Sequence, residues 1–152
     1  MGERVGVREA GVGDLEVAAG LFRGYLGFYE VVVEDEGAPR EFLAERMRNG
    51  ESLVLLADVD GAGTVGFAQV YRVFSSLSLR PAWLLSDLYV APEGRRTGAG
   101  RALLRECLRR AREAGVAGLQ LETAYDNHTA QALYESEGFV RDEFHVYAHD
   151  LS

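Results

Sequence analysis

The stretch from Leu84 to Gly100 limits the fold more than any other part of the chain. An apolar run, Leu84-Leu-Ser-Asp-Leu-Tyr-Val90, enters a turn at Ala91-Pro-Glu-Gly94, continues through Arg95-Arg-Thr-Gly98-Ala-Gly100, and opens a long amphipathic helix. A strand that feeds a glycine-rich turn into a helix start aims several backbone N–H groups, and the positive end of the helix, at one point. Such a point suits a phosphate. Gly98 and Gly100 let the main chain approach an anion closely, and Arg95, Arg96 and Arg101 surround it with positive charge.

The rest of the chain supplies the setting. At 152 residues it has the size of one domain, read as 1–152. Val5 to Arg8 alternates like a strand, and Asp14 is placed to cap a helix whose apolar positions Leu15, Ala18, Leu21, Phe22, Tyr25 and Leu26 recur at helical spacing as far as Tyr29 or Glu30. Pro39 suits the first turn of a second helix that Gly50 follows. Leu53 to Val59, Thr64 to Val73 and Trp83 to Val90 read as three strands of a meander. A helix from about Gly98 to Ala114 comes next, then a buried strand over Gly118 to Thr123. A helix opened by Asn127 or His128 and closed at Gly138 leads to a last strand, Phe144 to Leu151. The order βααβββαβαβ predicts an α/β fold, a mixed, mostly antiparallel sheet flanked by helices.

Composition excludes several kinds of protein. Hydrophobic residues at 47% and charged ones at 26% belong to a folded chain. A net charge of -8 argues against nucleic-acid binding, because neutralising phosphates needs a basic surface. It favours cationic substrates, although solubility alone would account for it. No apolar run reaches the roughly 20 residues of a membrane span, and Met1-Gly-Glu-Arg-Val has no signal-peptide stretch, so a cytoplasmic location is expected. Cys107, the only cysteine, lies on the apolar face of a helix and reads as a small buried hydrophobe. His128, His145 and His149 form no spacing that suits a metal or a triad, and no metal is expected. All 16 basic residues are arginine. Genome composition explains that count; the clustering of Arg95, Arg96, Arg101, Arg105, Arg109, Arg110 and Arg112 points instead to a local anion site.

Spacing narrows the anion. The Walker loop needs a lysine, which the chain lacks, and a dinucleotide GxGxxG would need glycine where Leu103 stands. A second segment then adds information: Asn127-His-Thr-Ala130-Gln-Ala-Leu133-Tyr134-Glu-Ser-Glu-Gly138-Phe139 puts an asparagine two helical turns before a tyrosine on one side. Read by itself, Tyr134 is an aromatic at a helix end. Together, Val90-Ala-Pro92 with Arg95-Arg-Thr-Gly98-Ala-Gly100, and the NxxAxxLYxxxGF pattern at Asn127, Ala130, Leu133, Tyr134, Gly138 and Phe139, resemble the GNAT acetyltransferase superfamily, as does the order of elements.

The resemblance implies acetyl-CoA as cosubstrate. It assigns main-chain groups of Leu88, Tyr89 and Val90, with Asn127, to the pantetheine arm, and Arg95, Arg96, Thr97, Gly98, Ala99, Gly100 and Arg101 to the pyrophosphate. Tyr134 would face the thioester sulfur as general acid. The implied reaction is direct attack by a neutral primary amine, with a strand N–H steadying the oxyanion. An alkyl ammonium of pKa ~10.4 costs about 4 kcal/mol to deprotonate at neutral pH, whereas a thiol of pKa ~8.5 leaves readily, so the base carries the larger share. Asp87, Glu122 and Glu30 are the candidates, directly or through water. Relatives that act on polyamines often carry glutamate where Ser86 stands, which leaves the base open. Asp87 reads equally as a structural residue. Tyr25, Phe28, Tyr29 and Glu30 are similar to the acceptor segment of members that take polyamines, small amines or basic tails, and aromatic rings with a carboxylate suit a cation; they also suit plain helix packing. The acceptor is therefore expected to be a small-molecule or peptide amine, aminoglycosides included. A homodimer through the Phe144–Leu151 strand is also implied. The alternatives are a non-catalytic acyl-CoA sensor and, last, a nicotinamide-dinucleotide binder.

Overall fold

The computed structural model describes residues 4–152, so the Met1-Gly-Glu start of the N-terminal stretch read above lies outside the described residues. The chain forms two compact units, one ending at Glu122 and one spanning Thr123–Ser152.

In the first unit the elements run β1 (Val5–Glu9), α1 (Leu15–Phe28), α2 (Ala38–Arg48), β2 (Ser52–Val59), β3 (Gly63–Ser75), β4 (Arg80–Val90), α3 (Ala99–Ala114) and β5 (Leu119–Leu121), with short 3-10 turns at Val12–Asp14 and Pro92–Gly94. The sheet order is β1-β2-β3-β4-β5. Neighbours are antiparallel except β4 and β5, which are parallel. A parallel pair needs a crossover, and α3 supplies it.

β2 is buried along nearly all of its length, as expected of a strand covered on both faces. Alternation sends Val54 and Leu56 to one side, where with Phe67 they meet Ala18, Ala19, Leu21 and Phe22 of α1 and Leu43 of α2. On the other side Gly66 sits so close to Ala57 and Leu103 that a Cβ there would lie 2.9 Å from each, which fixes α3 against that face. Cys107 is wholly buried in this layer, and burial pushes its thiol up to about 12, as suits a packing residue. Asp14 stands at the start of α1 yet caps nothing there; its carboxylate accepts from the Gly11 N–H and pairs with Arg8, so the 3-10 turn has claimed it.

All four described helices stop in one way. After the last turn a residue turns left-handed, and the next N–H reaches back to the carbonyl five residues earlier: Val31 to Leu26, Glu51 to Arg46, Val116 to Ala111 and Phe139 to Tyr134. The left-handed residue is Gly50, Gly115 and Gly138 in three helices, but Glu30 in α1, at φ 58°. A side chain in that region costs about 1 kcal/mol that glycine avoids.

The second unit holds α4 (His128–Ser136) and an extended tail. The expected strand over Phe144 to Leu151 is not formed: the segment pairs with no strand among the described residues, and Phe144 and Tyr147 are 73% and 93% exposed. Its alternation of apolar residues satisfies one condition for a strand, while the ladder partner is missing. The dimer interface expected of that strand has no strand here to rest on. β5 is likewise shorter than Gly118–Thr123, reaching only as far as its pairing with β4.

Candidate active site

The site is built around an irregularity in β4. Against β3, Gln69 faces Asp87 while Val70 faces Leu85, so Ser86 is an extra residue bulged out of the ladder. Against β5, pairing runs from Trp83–Leu119 to Leu85–Leu121 and ends there. The strand therefore changes character at Ser86. Asp87 to Val90 stay paired to β3, and no strand pairs with their other edge among the described residues. Such an edge offers backbone donors and acceptors to an extended ligand.

β4 delivers the chain into the anion loop. The Ala91 N–H is fixed to the Val65 carbonyl, and Gly94 packs against Val65 so tightly that a Cβ would overlap it. Arg96 at φ 63° and Gly98 at φ 88° are left-handed, with Gly98 at the N-cap of α3. Thr97 braces the turn: its hydroxyl donates to the Gly94 carbonyl and accepts from the Ala99 N–H. A Cβ on Gly98 would meet nothing within 4 Å, so the main chain there borders open space. Arg95 and Arg96 are exposed, and the first turn of α3 carries no carboxylate. The sequence-predicted loop residues Arg95 to Arg101 are thus gathered at one helix start.

The opposite side of β4 meets α1. Gly24 makes room for the Tyr89 ring, since a Cβ there would lie 2.7 Å from it. The Tyr25 hydroxyl donates to the Ser86 carbonyl at 3.0 Å, tying α1 to the bulge. From Tyr25 a run of edge-to-face contacts passes through Tyr29 to Phe28, and both of these are exposed. Glu30 follows, exposed and left-handed. Next to the bulge, Asp87 is only 4% exposed. Gln69 Nε2 donates to its Oδ2 at 2.6 Å, and the Ser86 hydroxyl to its Oδ1 at 2.8 Å. Burial raises the Asp87 carboxyl above its usual range, although both hydrogen bonds oppose the shift. Tyr71, on β3, is pushed up to about 12 by burial and then by the Asp87 charge.

Asp87 is therefore brought together with groups that suit an acid or a base. Glu122 lies one residue past the last β4–β5 pair and is exposed, outside that buried group. Sequence reasoning missed Gln69, Tyr71 and Gly24. A single amide inside the apolar run Val65-Gly-Phe-Ala-Gln-Val70 was the available signal for the first. The other two depend on which strand faces which helix.

In the second unit, Asn127 caps α4, its Oδ1 accepting from the Ala130 N–H at 3.2 Å. Tyr134 and Phe139 meet edge to face across the helix stop that Gly138 makes. The spacing of Leu133-Tyr134 to Gly138-Phe139 thus has a local cause in helix termination.

The chain as a whole is similar to known proteins. Residues 19–139 match the Acetyltransferase (GNAT) family. The uncharacterized N-acetyltransferase YhfO of Bacillus subtilis (strain 168) is 38% identical over 136 residues, covering 90% of either chain. The aminoglycoside N(6')-acetyltransferase type 1 of Stenotrophomonas maltophilia is 31% identical over 116 residues, 74% of this chain and 76% of that one. A crystal structure of a probable acetyltransferase superposes with a TM-score of 0.89 at 38% identity, covering 97% of this chain and 98% of that one. A strand that opens at a bulge, an arginine-flanked glycine turn at a helix start, and relatives of this similarity lead to one conclusion: the chain belongs to the acetyltransferase (GNAT) family, and with it to the acetyl-CoA-dependent acyltransferases.

Proposed function

We propose that the protein moves an acetyl group from acetyl-CoA to a primary amine by direct attack. The observation that carries this reading is the open edge of β4 beyond Ser86, which runs straight into the left-handed Gly98 turn. The residues fit the coenzyme. An extended pantetheine arm would lie along Leu88, Tyr89 and Val90, and a diphosphate would meet the N–H groups from Gly98 to Arg101 beside Arg95 and Arg96. When bound, acetyl-CoA supplies the activated carbonyl and the thiol leaving group.

The chain's own residues do the rest. Asp87 takes the proton that converts the ammonium to a free amine; the nitrogen then bonds to the acyl carbon as the carbon–sulfur bond breaks. By the family resemblance, Asn127 holds the pantetheine and the Tyr134 phenol gives its proton to the departing sulfur; the second proton, shed by the nitrogen as the amide forms, restores the phenol through water. The group of half-buried Tyr25 with exposed Phe28, Tyr29 and Glu30 receives a cationic acceptor. The aminoglycoside-acetylating relative favours a small polycationic amine over a peptide.

Thiol release measured with acetyl-CoA against aminoglycosides, polyamines, amino acids and lysine peptides tests this. Turnover is expected with at least one small polyamine or aminoglycoside. Silence across the panel, with coenzyme binding intact by calorimetry, would return the protein to the sensor reading.

A further inference from the structure

The bulge group contains a side chain that the reaction scheme does not yet use. Gln69 is completely buried in the middle of β3, opposite Asp87. An ionised carboxylate only accepts, so the amide must present Nε2 to Asp87, and it does, at 2.6 Å. That orientation turns Oε1 away, where it has no hydrogen-bond partner. A buried unpaired acceptor is unfavourable, and a methionine of the same length would avoid it. The amide is therefore there for its donor, and the donor serves Asp87.

The geometry on the other side agrees. Successive strand residues point to opposite faces, yet the bulge lets Ser86 reach the side chain of its own neighbour, so each Asp87 oxygen has one donor. We propose that Gln69 is a positioning residue whose buried amide holds the Asp87 carboxylate ionised and oriented to take the proton of the incoming amine. This rests on the reading of Asp87 as the base.

Other groups facing Asp87 leave that task to Gln69 and Ser86. From α1 comes the Tyr25 phenol, which is spent on the Ser86 carbonyl. From β3 comes the Tyr71 phenol, held protonated by its surroundings. From α2 comes Arg46, whose charge acts on Tyr71 and which is paired with Glu45 and Glu51. No cation touches the carboxylate among the described ion pairs.

Carboxyl-carbon NMR titration of the free protein, labelled at aspartate, reads the midpoint of Asp87 directly; the resonance is assigned by its loss in Asp87→Asn. Removing a donor from the ionised form raises the midpoint, so Gln69→Met is expected to move it up by about one pH unit. Gln69→Glu, which keeps the shape, is expected to give two coupled steps with the upper one higher still. The acid limb of kcat/KM for one fixed amine should move with the midpoint. Midpoints at the wild-type value in whichever of the two variants fold would overturn the positioning role. If Asp87→Asn keeps its turnover, Asp87 is not the base and the proposal falls with it. If Asp87→Asn loses turnover while the Gln69 variants titrate like wild type, the base stands and only the role of Gln69 fails.

Discussion

The two halves of β4 follow different rules. From Trp83 to Leu85 the strand has a neighbour on each edge, and both of those residues are buried and apolar. From Asp87 to Val90 it has a neighbour on one edge, a buried carboxylate, and side chains at Leu88, Tyr89 and Val90 that are only part-buried. One bulged residue, Ser86, separates them. The first half contributes to stability in the ordinary way, by removing apolar surface from water. The second half leaves one edge without a strand among the described residues, the edge along which the proposed reading lays the pantetheine arm. In that reading, a single extra residue turns a structural strand into a binding one.

Substitutions can pull the halves apart. The largest effect is expected at Gly98, beyond the open half. Gly98→Glu places a negative charge where the diphosphate would lie, and since the site borders open space the protein itself has room for it. Acetyl-CoA affinity should fall by about 100-fold or more, roughly 3 kcal/mol by calorimetry, with a stability loss near the ~1 kcal/mol of left-handed strain. Unchanged affinity would refute the anion site. In the closed half, Leu85→Ala should cost about 2–4 kcal/mol in denaturant unfolding while leaving coenzyme affinity intact. If the affinity fell in step, the two halves would not be separable.

Asp87→Asn tests the carboxylate within the open half. Turnover should drop about 100-fold, the usual worth of a positioned base. Stability should move the other way. Because the folded carboxyl titrates above its ordinary value of 3.8, the native state binds more protons than the unfolded chain across that window, and wild-type stability declines as pH rises through it. The variant lacks this decline. It should melt higher than wild type at neutral pH, with the advantage fading on acidification, which a thermal series across pH would read.

The smallest effect is at the end of α1. Glu30→Gly relieves a left-handed side chain and should stabilise by up to about 1 kcal/mol in thermal melts. Were the KM of the amine to rise at the same time, Glu30 would be shown to hold strain for the sake of the acceptor.

Much of this was legible in the sequence because it is local. Val90 to Gly100 announces a strand, a turn and a helix through residue types that each have one job there, and Gly138-Phe139 announces a helix stop in the same manner. What escaped is relational. The Ser86 bulge exists only as a mismatch with β3, and nothing in Leu84 to Val90 marks it. Gly24 matters because Tyr89 lies over it, and Gln69 because Asp87 faces it. The unformed Phe144–Leu151 strand is the same lesson reversed, since its alternation is present and its partner is not. Asp14 also shows it, with a helix-capping residue taken over by a turn and by Arg8.

The arginines beside the Gly98 turn have one more effect. A lysine ammonium can lose its proton and attack an activated acyl group, whereas a guanidinium stays charged and keeps its electrons delocalised. With no lysine anywhere in its sequence, this protein has no side-chain amine to be scarred by its own donor. It handles a reactive acylating agent with hands that the agent cannot modify.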